Sequence, residues 1–179
     1  MTIFDYMVEE CALRNGEDKL LAQREVMQKI VLAGLARGGF FDHAAFYGGT
    51  YLRIFHHLNR FSEDMDFSLK EKNTDVHLEQ YFSYIIDEFK YAGFPVEIVK
   101  REKKTFGMVE SAFLKEDTEI YDIKFQTRKM MKVKIELDTD PPLGFQTELR
   151  RLELPYSFSM CCFTLPCLYA GNMHALAFR

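Results

Sequence analysis

At 179 residues the chain is long enough for one domain, or a core plus a short appendage, and 47% hydrophobic residues suffice for a packed interior. Its 27 acidic side chains outnumber 23 basic ones for a net charge of −4, which excludes a generally basic nucleic-acid glove but not a local basic patch. No apolar run approaches the roughly 18–20 residues that span a bilayer, no basic residue precedes the first apolar positions as a signal peptide requires, and Cys11, Cys161, Cys162 and Cys167 lack the spacing of a disulfide framework or a paired zinc site, which fits buried thiols in a reducing cytoplasm.

From Lys19 to Ala36 the apolar residues Leu20, Leu21, Val26, Met27, Ile30, Val31 and Leu35 fall at helical spacing. Gly34 lies on the same face and weakens the last turn; Arg37-Gly38-Gly39 then supplies a stop. His43 to Tyr47 is short and apolar and reads as a strand, broken by Gly48-Gly49. A helix is predicted over Thr50 to Leu58. Met65, Phe67 and Leu69 alternate with Asp64, Asp66 and Ser68, the period of a half-buried strand. After a turn at Glu71 to Thr74, the residues Leu78, Tyr81, Phe82, Ile85, Ile86 and Phe89 mark an amphipathic helix that Gly93 ends. Strands are predicted over Phe94 to Lys100, Thr105 to Leu114, Ile120 to Gln126 and Met131 to Leu137, the last closed by Pro141-Pro142, and again over Phe158 to Thr164. Leu168 to Phe178 has helical spacing. This order describes an α/β or α+β domain with a mixed sheet. There are no repeats, linkers or low-complexity segments.

The chemistry concentrates between Tyr47 and Leu69, YGGTYLRIFHHLNRFSEDMDFSL. A strand runs into two glycines and then a helix that opens on a hydroxyl residue. Glycines let backbone N–H groups approach a ligand closely, and a helix N-terminus adds orphan donors and a positive dipole end. Gly48, Gly49 and Thr50 therefore form a candidate phosphate cradle. The spacer that follows is long enough for a short helix and a return turn, so a second strand can lie beside the first. On that strand Asp64 and Asp66 share a face. Two neighbouring carboxylates repel unless a cation sits between them, and Mg²⁺, which favours oxygen ligands and phosphates, suits the pair. A third acid is expected on a neighbouring strand within Lys132 to Asp138. Glu136, flanked by Ile135 and Leu137, is favoured over Asp138 as third ligand or as base for an attacking hydroxyl. His56 and His57 diverge on a helix and read as surface residues. Arg101, Lys103, Lys104, Arg128, Lys129, Lys132 and Lys134 form a basic middle, either a solvated face or a track for an RNA acceptor.

The stretch GGTYLRIFHHLNRFSEDMDFSL resembles the signature of the AbiEii-type nucleotidyltransferases, the toxin half of abortive-infection toxin–antitoxin pairs within the DNA-polymerase-β-like nucleotidyltransferase superfamily. Leu52-Arg53 after the turn and Arg60 to Asp64 before the acidic pair carry the likeness; KIELDTDPP (Lys134 to Pro142) and CLYAGNMHALAFR (Cys167 to Arg179) support it. It covers roughly Arg24 to Arg179. The resemblance implies an α+β, nucleotidyltransferase-like mixed sheet with flanking helices, one domain over residues 1–179. It implies a metal-dependent transfer of NMP from an NTP to an RNA acceptor, tRNA, in the cytoplasm, with Mg²⁺ or Mn²⁺ and a winged-helix antitoxin as partner. Asp64, Asp66 and Glu136 are then the catalytic and metal-binding residues, and Gly48, Gly49, Thr50, Arg53, Ser62 and Asn172 the nucleotide-binding ones. Two departures stand out. Asn172 occupies the place of a lysine expected to contact the triphosphate, and the chain stops at Arg179, where the family usually continues into a C-terminal helical region. Both motivate the alternative of an inactive nucleotide-binding or antitoxin-binding homologue.

Overall fold

The structure, a computed structural model, describes residues 1–16, 18–101, 118–125 and 131–177. Its centre is a mixed sheet of seven strands in the order β3-β4-β5-β2-β1-β7-β6. These are β1 Ala44–Tyr47, β2 Asp64–Leu69, β3 Val96–Lys100, β4 Thr118–Phe125, β5 Lys132–Asp138, β6 Thr147–Leu152 and β7 Phe158–Phe163. The helices are α1 Ile3–Asn15, α2 Lys19–Arg37, α3 Gly48–His56, α4 Phe82–Tyr91 and α5 Leu165–Ala177. The expected strand over 105–114 lies outside the described residues, as do Lys103, Lys104, Arg128 and Lys129 of the basic middle. Among the described residues no helix is long and apolar enough to cross a membrane.

One long helix and one strand were not anticipated. Helix α1 opens on a capping box: the Asp5 N–H donates to Thr2 Oγ1 and the Thr2 N–H donates to Asp5 Oδ2. It ends at Gly16, whose φ of 62° places it in the left-handed region. The strand is β6, at the sheet edge and antiparallel to β7. Two other differences concern boundaries. The Leu78-to-Phe89 pattern begins as a 3₁₀ turn, Leu78–Tyr81, before α4. Helix α3 starts at Gly48, so the two glycines form its first turn rather than a break before it.

The sheet has two unlike faces, and strand alternation dictates which residues occupy each. Met65, Phe67 and Leu69 of β2 and Val133, Ile135 and Leu137 of β5 point one way and are buried. Helix α4 covers this face: Phe82 packs edge-on to Tyr121 of β4, and Phe89 packs edge-on to Phe125. Phe40, in a 3₁₀ turn at Phe40–Asp42, packs edge-on to Phe67, which stacks on Phe46 of β1. Helix α2 lies over α4. The opposite face carries Asp64, Asp66 and Ser68 from β2 and Lys132, Lys134, Glu136 and Asp138 from β5, and its β5 residues are exposed or half-buried.

Gly34 has a different role from the one its helix propensity suggests. A Cβ built there lies 2.7 Å from Ile85 Cα and 3.0 Å from Ile85 N. The obstacle is backbone of α4, which cannot rotate aside. Glycine at this position lets α2 and α4 approach closely enough to bury the apolar face of the sheet. We predict that Gly34→Ala destabilises the fold by about 1–3 kcal/mol, the usual cost of overpacking a filled interior. Urea unfolding followed by circular dichroism measures it, and an unchanged midpoint contradicts the assignment.

Candidate active site

Strands β1, β2 and β5 bring the acidic residues together. β1 and β2 pair antiparallel with Tyr47 opposite Asp66. β2 and β5 pair parallel with Asp64 opposite Lys134, Asp66 opposite Glu136 and Ser68 opposite Asp138. Partners in register share a face, so Tyr47, Asp66 and Glu136 form a row across three strands. Glu136, the acid expected on a neighbouring strand, thus stands beside Asp66. Asp138 shares the face but accepts the Asp140 N–H at 2.9 Å, which ties it to the turn after β5.

The glycines hold the other side of the site. Gly48 has a φ of 87°, and a Cβ there would fall on the Asp66 carboxylate. Only glycine permits both the left-handed backbone and the approach of Asp66. No side chain caps the N-terminus of α3 at Tyr47. Its first-turn N–H groups are donors of the kind that bind phosphate oxygens. Gly48, Gly49, Tyr47, Asp66, Ser68 and Asp138 line a common cleft of about 690 Å³, which α5 borders with Leu168, Ala170 and Gly171. One wall is aromatic: Tyr47 stacks on Phe163 at 5.0 Å between ring centroids, and Phe163 stacks on Phe145 at 4.4 Å.

Three of the remaining expectations change in detail. The Thr50 hydroxyl is fully buried and donates to the carbonyl of Asp64. It braces the start of β2 instead of facing a ligand. Ser62 braces the same point: its Oγ accepts the Asp64 N–H at 3.3 Å, and its carbonyl accepts from Gln28 Nε2 at 2.7 Å. Ser62 also lies beside Gly49. Arg53 points away from the cleft. It is 8% exposed, pairs with Glu25 of α2 at 3.3 Å and sits over the Phe61 ring. That ion pair, reinforced by Lys29 on Glu25 at 2.7 Å, fastens α3 to α2. The backbone of Asn172 lies in α5, next to Gly171 of the cleft, while its side chain lies outside the described residues. His56 contacts Tyr51 Oη at 3.2 Å and His57 leaves the helix with a φ of 54°, so the two diverge as expected.

Two side chains of this patch carry contacts that sequence reasoning did not assign to it. Lys134 is half-buried rather than part of a solvated face. Its Nζ lies 2.6 Å from Glu136 Oε1 and 3.0 Å from Asp64 Oδ2. Its place two residues before Glu136 on a strand was the available signal. The second is Tyr47, whose phenol is held well above its ordinary range by burial and then by the charges of Asp66, Asp138 and Glu136.

The electrostatics follow from crowding. Burial, then the charges of Glu136 and Asp64, push the Asp66 carboxyl up to about 7, with Lys134 opposing. Burial alone lowers the Lys134 ammonium, but its bonds to Glu136 and Asp64 outweigh that and raise it. Three acids against one ammonium leave a surplus of negative charge that an oxygen-seeking divalent cation fits. Among the described residues, however, no three His, Cys, Asp or Glu side chains converge on one ion, and Asp64 and Glu136 both pair with Lys134.

Residues 30–179 match the family model described as nucleotidyl transferase AbiEii toxin, type IV toxin–antitoxin system. The chain belongs to that family of nucleotidyltransferases. Its fold resembles that of MenT4, a nucleotidyltransferase toxin from Mycobacterium tuberculosis, with a TM-score of 0.58 and 20% identity over 97% of this chain and 58% of that one. It also resembles JHP933 from Helicobacter pylori, with a TM-score of 0.52 and 18% identity over 87% of this chain and 56% of that one. The chain spans somewhat under three-fifths of the length of these structures. No curated protein matches it.

The raised Asp66 carboxyl has a consequence for stability. The folded chain keeps that proton between pH 3.8, the unperturbed value, and about 7, a range in which the unfolded chain has lost it. The metal-free protein therefore becomes less stable as pH rises through this window, and Asp66→Asn removes that part of the slope. Thermal unfolding in chelator at about pH 5 and about pH 8 measures it. Equal slopes in the wild type and the variant contradict the origin assigned here.

Proposed function

Starting from membership of the AbiEii family, we propose that this chain transfers NMP from a nucleoside triphosphate to a hydroxyl of an RNA acceptor, tRNA, in a metal-dependent reaction. The observation that carries the reading is the row Asp66–Glu136 beside Gly48, which sets paired carboxylates against an uncapped helix N-terminus. Carboxylates alone bind cations, and helix N-termini alone bind anions. Side by side they suit a ligand with both, a triphosphate carrying Mg²⁺ or Mn²⁺.

Asp64, Asp66 and Glu136 would hold the cation, which neutralises charge on the attacking and leaving oxygens of an in-line displacement. The N–H groups of Gly48 and Gly49 receive the phosphate oxygens. Thr50 and Ser62 act behind them: their bonds to Asp64 set where β2 begins and so where its carboxylates stand. Glu136 would serve either as the third ligand or as the base that takes the proton of the acceptor hydroxyl. The hydroxyl oxygen then forms the new bond to the α-phosphorus as the bond to the leaving pyrophosphate breaks. The aromatic wall of Tyr47, Phe163 and Phe145 flanks the cleft on the side away from β5.

As a toxin of a toxin–antitoxin system, the chain is expected to be held in check by a cognate antitoxin, which we assign to the winged-helix class by analogy with the family. The second reading, a homologue that binds nucleotide without turnover, is favoured by Asn172 in the helix that borders the cleft.

Transfer of labelled NMP to tRNA tests the proposal. With Mg²⁺ present the wild-type chain labels tRNA, and Asp64→Ala lowers the rate by at least about a hundredfold, the scale on which lost charge stabilisation is felt. Transfer that survives Asp64→Ala contradicts the site. Cation-dependent nucleotide binding with no transfer to any RNA supports the second reading.

A further inference from the structure

Lys134 occupies an unusual place for a lysine. It sits on β5 two residues before Glu136, on the same face, and faces Asp64 across the pairing with β2. Its ammonium bridges two of the three acids that would hold a cation, at 2.6 Å from Glu136 and 3.0 Å from Asp64. Its side chain is 18% exposed, less than Glu136 at 27% or Asp64 at 44%. A surface ion pair held by two flexible side chains contributes little and leaves both partners solvated. Here the lysine is the most enclosed of the three groups, as an ion filling a gap between anions is.

We propose that Lys134 is a positioning residue that stands in for the divalent cation when none is bound and passes to the phosphates of the nucleotide when cation and nucleotide bind together. The proposal rests on the nucleotidyltransferase reading above. Two cations cannot share the same carboxylate oxygens, so an arriving metal ion displaces the ammonium. The displaced charge needs an anion, and the triphosphate held at the N-terminus of α3 supplies one within the same patch of sheet. The lysine stem has four carbons and rotatable bonds, so its head can change partners while β5 keeps its register.

The arrangement has two consequences of opposite sign. Without nucleotide, Lys134 competes with the cation and weakens its binding. With nucleotide, the freed ammonium adds a phosphate contact, so each ligand strengthens the other. Coupling of this kind is reciprocal by thermodynamic necessity. A lysine that only supports the fold predicts weaker binding of everything when it is removed. A lysine in an incidental surface pair predicts no change.

The test measures Mn²⁺ binding to the full chain by the paramagnetic resonance of free Mn²⁺, with and without a non-hydrolysable nucleoside triphosphate, after subtracting the Mn²⁺ that the nucleotide binds in matched protein-free samples. Wild type, Lys134→Gln and Lys134→Arg are compared, with Lys134→Met in place of the glutamine variant if circular dichroism shows the latter unfolded. The neutral variant should bind Mn²⁺ alone about tenfold or more tightly than wild type, a difference of about 1.4 kcal/mol or more. It should also lose most of the tightening that nucleotide brings, while Lys134→Arg stays close to wild type in Mn²⁺ binding alone. A neutral variant that binds Mn²⁺ no better than wild type, while Asp66→Asn abolishes binding, overturns the role of Lys134 and leaves the site intact. Absence of Mn²⁺ binding in wild type and neutral variant alike, at every nucleotide concentration, overturns the role and the nucleotidyltransferase reading together.

Discussion

The parallel pairing of β2 with β5 forces like charges together, and much of the molecule answers to that constraint. Asp66 stands opposite Glu136, with Asp64 one pleat away. The register that places them is not set by the acids, which repel. It is set by the reverse face, where Met65, Phe67, Leu69, Ile135 and Leu137 are buried. Slipping either strand by one residue would expose that row and bury the charges, so the hydrophobic face holds the carboxylates where they do not choose to be. The repulsion is met in two ways. Lys134 binds Asp64 and Glu136, and Asp66 keeps its proton up to about 7.

The supporting structure shows how tightly that patch is held. Gly48 admits the Asp66 carboxylate at the start of α3, and Thr50 and Ser62 bond to the backbone of Asp64. Behind them, Gln28 of α2 holds the Ser62 carbonyl, and the Glu25–Arg53 pair joins α2 to α3. Helix α2 in turn depends on Gly34 to reach α4. A chain of contacts thus runs from the helical layer to the carboxylates. The first turn of α3, which opens on the cleft, is left without a side-chain cap.

Much of this was legible from residue order alone. Alternation in 64–69 and 132–138 fixed two strands and put Asp64, Asp66 and Glu136 on one face, because parity needs no tertiary knowledge. Helix α1 is equally legible in its residue order. Phe4, Met7, Val8 and Cys11, its buried residues, stand at helical spacing between a Thr2 cap and Gly16. Strand β6 was harder: it is an edge, and its charged residues Glu148, Arg150 and Arg151 break the alternation that a buried strand shows. The directions of Arg53 and Lys134 depend on partners remote in sequence or on a neighbouring strand, and charge alone does not reveal them. Arg53 found Glu25 in α2; Lys134 found the acids of its own site. Gly34 shows the same limit. Helix propensity counts it as a defect, whereas the packing of α2 on α4 requires it.

The central claim is that the acidic row and the uncapped helix act as one receptor for a cation and a triphosphate. Calorimetric titration of the wild-type chain with a nucleoside triphosphate, in Mg²⁺ and again in chelator, tests it most directly. The account predicts binding that needs the cation and is lost when it is removed. Equal binding in both conditions, or binding in neither, would contradict it.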